Sequence, residues 1–198
     1  MTWSAVGKIL AALAGILVVA IGLVLVVTLR HGLSAAARPT ATESVIARTA
    51  RHFAVPAAAR RMRNPVALTP AVLAEARAHF ADHCASCHGN DGRGQTSIGQ
   101  GLYPKAPDMR GAETQDLSDG ELFSIIMNGV RLTGMPAWGS AESPHDAEDT
   151  WKLVHFIRHL PALTAAEIRE MERMNPVSAF EKQEKKDEED FLESRDRH

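Results

Sequence analysis

Cysteine is nearly absent. The chain of 198 residues holds two, Cys84 and Cys87, three positions apart. A zinc site needs about four ligands, usually two Cys pairs or Cys plus paired His. Aromatic residues make up only 5% of the chain, so its core must be filled by aliphatic side chains or by a group the sequence does not encode. No stretch sustains the period-two alternation of a strand, which argues against sheet. The βαβ setting of a thioredoxin-like Cys-x-x-Cys is missing with it. A surplus of positive charge is lacking too. Residues 64–163 carry seven Lys and Arg against twelve Asp and Glu, a balance of −5, within a chain whose formal charge is −2. Nucleic acid, which wants a basic face, is excluded as a partner.

What is present centres on Cys84-Ala85-Ser86-Cys87-His88. Cys-x-x-Cys-His is the signature of covalent haem c attachment. Two thiols at this spacing can add to the two vinyl groups of one haem edge, and the imidazole one step later is placed as proximal iron ligand. The single motif implies one covalent haem, which would also supply the apolar bulk that the aromatics do not. A second axial ligand is offered by Thr133-Gly134-Met135-Pro136-Ala137-Trp138. A thioether is a soft ligand, and Met/His ligation raises the potential of the iron. Met135, framed by Gly134 and Pro136 in a loop, is poor core material, whereas Met127 and Met109 suit packing. His ligation is the competitor: His79 and His83 precede the motif and suit helix packing or solvent, while His155 and His159 read as surface or propionate neighbours.

The chain falls into four parts. Residues 1–30 contain the run Ile9 to Leu29, 21 apolar or small residues between Lys8 and Arg30. That is long enough to span a bilayer and longer than the apolar region of a cleaved signal peptide. Residues 31–67 form an Arg-rich linker, with a short helix from Glu43 to Phe53 halted by Pro56, then Arg60, Arg61 and Arg63. Residues 68–163 form the haem domain. Thr69-Pro70 opens its first helix, and Gly89 to Gly101, with five glycines in thirteen residues, reads as loop. Ser118-x-x-Glu121 is a capping box for a helix stopped by Asn128-Gly129, and Thr150 caps a last helix, Trp151 to Leu160. Residues 164–198 form a charged, partly helical tail, in which Thr164-x-x-Glu167 and Ser178-x-x-Glu181 are further capping boxes. The fold class expected is all-α. The flanks of the apolar run disagree with the motif about orientation. Arg30, Arg38 and Arg48 follow it, which by the positive-inside rule puts the body of the chain in the cytoplasm, whereas haem c attachment places it outside.

Phe80 four residues before Cys84, the haem motif, Pro107-Asp108-Met109, the Met135-Pro136 loop and a terminal helix with Leu153 and Phe156 together resemble a class I cytochrome c. The likeness is greatest to the bacterial, single-haem, membrane-anchored branch, and it covers Thr69 to Leu163. The resemblance implies that the first and last helices of the domain cross at Ala76, where Gly is usual, with Phe156 over Phe80. It implies that the Pro107 carbonyl accepts from His88 Nδ1–H, fixing the ring, and that Met109 is an apolar haem contact. Tyr103, Thr133 and Trp138 become candidate propionate or Met-loop hydrogen bonders. The expected function is not catalysis but one-electron transfer at the bacterial inner membrane, with the domain on the periplasmic side. Partners would be redox proteins: a quinol–cytochrome c oxidoreductase, a terminal oxidase or a dehydrogenase. Two alternatives remain, a cytochrome subunit of a membrane oxidoreductase complex and a haem c gas or redox sensor.

Overall fold

In a computed structural model the chain is described over residues 3–31, 34–35, 37–140 and 143–176. Every regular element among the described residues is helical. The apolar run lies within α1, Trp3–His31, whose stretch Ala5–Val27 has a mean hydropathy of 3.1 and no buried side chain. Contacts divide the chain into two compact units, Met1–Ala37 and Arg38–His198. The Ser178 capping box lies outside the described residues.

The second unit is built from local signals that the sequence spells out. Helix α2, Ala41–Ala54, opens on a reciprocal box between Thr40 and Glu43. The one-turn α3, Ala57–Arg60, follows, and the Arg60 guanidinium bonds back to the Val55 carbonyl at 3.0 Å. This part of the segment expected as an Arg-rich linker packs on the domain. Its backbone passes so close to Gly120 that a Cβ there would lie 1.8 Å from the Ala59 carbonyl oxygen.

Helix α4, Pro70–His79, is capped by Thr69. It widens into a π-helical turn, Phe80–Cys84, and closes in α5, Ala85–His88. The expected loop after Gly89 contains one short helix, α6, Ser97–Gly101, capped by Thr96. A further turn, α7, spans Ala112–Gln115. Helix α8, Asp119–Asn128, has the Ser118–Glu121 box at its start and Gly129 at φ 63° past its end. Helix α9 spans Pro144–His159. It begins about two turns before the helix expected from a Thr150 cap, because Ser143 caps it and Pro144 sits at its first position. Thr150 is instead buried within the helix, donating its hydroxyl to Met127 Sδ at 3.3 Å.

Helices α4 and α9 cross in the core. Ala76 is 1% exposed there, which lets the backbones approach, and the Phe80 and Phe156 rings pack at 5.0 Å between centroids, tilted by 51°. Both rings are fully buried. Phe80→Ala is expected to destabilise the domain by about 3–5 kcal/mol, read by denaturant unfolding. A loss under about 1 kcal/mol would mean that the crossing does not depend on this ring.

The segment after Leu163 is not a simple solvated tail. Helix α10, Ala165–Glu172, starts on the Thr164–Glu167 box and buries Met171 completely. Arg77 of α4 bridges Glu167 at 3.2 Å and Glu170 at 2.8 Å. Burial raises the Glu167 pKa, but the Thr164 amide and hydroxyl and His159 outweigh it and hold the carboxyl at about 2. A depressed carboxyl contributes stability above its unfolded value, and that contribution fades as pH falls. Glu167→Gln should therefore be weakest relative to the parent above about pH 5 and converge with it towards pH 2. Urea unfolding across that range checks this, and a pH-independent gap would remove the charge from the account.

Candidate haem site

The π turn and α5 bring Cys84, Cys87 and His88 to one wall of a cavity of about 460 Å³, within the roughly 300–1,000 Å³ typical of ligand sites. Both cysteines are free and partly buried. Burial, then the neighbouring Cys87 sulfur, pushes the Cys84 thiol up to about 12, so it is protonated at neutral pH. Burial lowers the His88 pKa, which keeps the imidazole in the neutral, ligand-competent form. Gly89, at φ 73°, ends this helix.

Met135 lines the same cavity. Its loop is clipped at every step. The Val130 amide donates to the Met135 carbonyl at 3.1 Å. The Thr133 hydroxyl donates to the Val130 carbonyl at 2.7 Å and accepts from the Met135 amide at 3.1 Å. Trp138 and Gly139 amides then donate to the Ile126 and Met127 carbonyls, both at 3.1 Å. The thioether is thus placed by hydrogen bonds that α8 and its own loop supply. At Gly134 the backbone crosses Leu102 so closely that a Cβ would meet its side chain at 2.5 Å.

Pro107 and Met109 also line the cavity. Met109 is 7% exposed, which suits an apolar wall. The bond implied from His88 Nδ1–H to the Pro107 carbonyl is not formed: Nδ1 is buried with no hydrogen-bond partner. Met127 does not line the cavity, and its sulfur is engaged by Thr150. His155 bonds to the Val66 carbonyl at 2.7 Å and His159 to Glu167 at 2.9 Å, and neither faces the cavity. His83 does line it, stacked on Trp138 at 5.4 Å. Tyr103 is taken by Glu43 of α2, whose carboxylate raises the phenol pKa.

The donor set suits a covalently held haem. Two free thiols and a neutral imidazole with an orphaned Nδ1 share an apolar cavity with a loop thioether, while no three His, Cys, Asp or Glu side chains gather to hold a metal ion among the described residues. A family model described as cytochrome c oxidase, cbb3-type, subunit III matches residues 71–157. Over these residues the chain carries a class I c-type cytochrome domain. That family carries covalently bound haem with its iron and transfers electrons. No curated protein matches this chain. Of the cytochrome's cavity wall, the sequence points to Cys84, Cys87, His88 and Met135. The contribution of α2 (Ser44, Ala47, Arg48 and Arg51) carries no motif, and only the i, i+3, i+4, i+7 spacing of these four hints at a shared face.

Proposed function

We propose that this cytochrome carries single electrons outside the cytoplasm while tethered to the bacterial inner membrane by α1. Cys84 and Cys87 would attach the one haem as thioethers, each S–H adding across a vinyl double bond, and His88 and Met135 would be its axial ligands. The observation that carries this reading is that Met135, remote in sequence, lines one cavity with all three residues of the haem motif. When bound, the haem supplies a one-electron iron couple. The chain's own part is to hold the ligand atoms still and exclude water with apolar walls such as Phe80, Leu122 and Leu153. Tethering raises the effective concentration near membrane-bound partners. Those partners would be a quinol–cytochrome c oxidoreductase, a terminal oxidase or a dehydrogenase. The family description, which names an oxidase subunit, favours as a second reading that the cytochrome resides in an oxidase-type complex. Purification of the full chain in mild detergent separates the two. Stoichiometric co-elution with an oxidase supports the subunit, and a monohaem chain eluting alone supports the shuttle.

The tether predicts a topology. A phosphatase fused after His198 should be active and a reporter confined to the cytoplasm silent, with Ile9 to Leu29 retained in the mature chain. The reverse pattern would mean that Arg30, Arg38 and Arg48 set the orientation, and it would defeat the extracytoplasmic assignment.

A further inference from the structure

Helix α2 precedes the residues matched by the family model, yet one of its faces lines the cavity. Ser44, Ala47, Arg48 and Arg51, spaced i, i+3, i+4 and i+7, all contribute to the wall. Two side-chain bonds hold the helix there. Arg48 pairs with Glu113, and Glu43 accepts from Tyr103. Its far end is fixed by Val55, which is buried and shares a second, smaller cavity with Leu117 and Ile125 of the domain. Ser44 and Ala47 are small, so this face leaves room at the cavity while the two arginines reach into it.

The charge of the wall runs against that of the domain. Residues 64–163 sum to −5, but the charged side chains lining the cavity are Arg48, Arg51, Lys105 and Glu113, three cations against one carboxylate, or +2. Lys105 donates to the Gln100 carbonyl, and Arg48 has Glu113. The Arg51 guanidinium is half-buried, faces both cavities and has no acceptor among the described residues. A cationic wall in an apolar cavity fits a ligand that is apolar in bulk and bears anionic groups. A haem whose vinyl edge is taken by Cys84 and Cys87 presents two propionate carboxylates at its other edge, and a guanidinium is the side chain best shaped to hold a carboxylate.

We infer that α2 is a strap over the haem cavity whose Arg48 and Arg51 hold the haem propionates as positioning residues. This rests on the reading of the cavity as the haem site. Guanidiniums beside the propionates cancel negative charge that would otherwise favour ferric iron, so their removal lowers the reduction potential. The test uses the full chain in detergent and two readouts, haem mass on the denatured protein and a spectroscopic redox titration. Arg48→Gln with Arg51→Gln should keep covalent haem. At the parent's midpoint its ferrous-to-ferric ratio should fall about tenfold, equal to about 59 mV for one electron. Arg48→Lys with Arg51→Lys should recover most of the shift. Arg61→Gln, which removes one positive charge, as Arg51→Gln does, from an exposed site away from the cavity, should leave the midpoint alone. Arg51→Gln by itself breaks no side-chain bond among the described residues and must move the midpoint the same way even if the double variant fails to fold. An unchanged midpoint in the Gln variants, or an equal shift in Arg61→Gln, overturns the strap. A parent chain without covalent haem overturns the haem site and the strap together.

Discussion

Cys84→Ala combined with Cys87→Ala is expected to yield a chain that carries no haem through acid denaturation, whereas the parent keeps both colour and mass. Both thiols are free and line the cavity. The Cys84 thiol, pushed up to about 12, remains S–H at neutral pH, the form whose hydrogen and sulfur add across a vinyl group. Each single variant should retain haem through one thioether. The double variant also faces a folding penalty. Leaving about 460 Å³ unfilled would, at about 24 cal/mol per Å³, cost up to about 11 kcal/mol, comparable with the whole stability of a small domain. Water entering an open cleft relieves part of this, but low accumulation of the double variant is expected alongside the loss of haem. Mass spectrometry of the denatured chain decides. A parent that releases its haem in acidified organic solvent would mean that neither thiol forms a thioether.

The parts of this fold that were legible were those specified by a few adjacent residues. Thr69-Pro70, Ser118-x-x-Glu121 and Thr164-x-x-Glu167 cap their helices as their side-chain chemistry dictates, and the haem motif reads on its own. Ser143-Pro144 carries the same kind of signal, but the turn it opens is polar (His145, Asp146, Glu148 and Asp149), with no apolar period to mark a helix. The glycines around α6 concealed a helix that Thr96 nonetheless caps. Met171 lies in a charge-dense segment, and its complete burial depends on the core cluster that it joins. The role of α2 was hidden for the same reason. Its arginines mean solvent to a local reading and become a cavity wall only once Tyr103 and Glu113 are in place to hold the helix. Pairings such as these are tertiary, and no short motif encodes them.

Met135→Ala is expected to keep covalent haem, lower the reduction potential and gain carbon monoxide binding. The reasoning turns on which of three thioethers faces the cavity in a setting made for ligation. Met127 is outside it with its sulfur hydrogen-bonded to Thr150. Met109 faces it from a buried position, its backbone fixed by a bond from its amide to the Gly92 carbonyl at 2.8 Å. Met135 alone sits on a loop clipped by Thr133, Val130 and the end of α8, a preorganisation that spares ligation the entropy of ordering the loop. Truncating it removes a soft donor that favours the reduced metal and leaves room for a small neutral ligand. Met109→Leu and Met127→Leu should do neither, since near-isosteric apolar swaps usually cost under about 1.5 kcal/mol. A redox titration of the three variants beside the parent, with carbon monoxide added to each reduced form, reads both effects. An unchanged potential and spectrum in Met135→Ala would assign the sixth ligand elsewhere. His83, which already lines the cavity, would be the first side chain to replace next. A parent that binds carbon monoxide freely would mean that the site is open at rest, as a sensor or catalyst requires and an electron carrier does not.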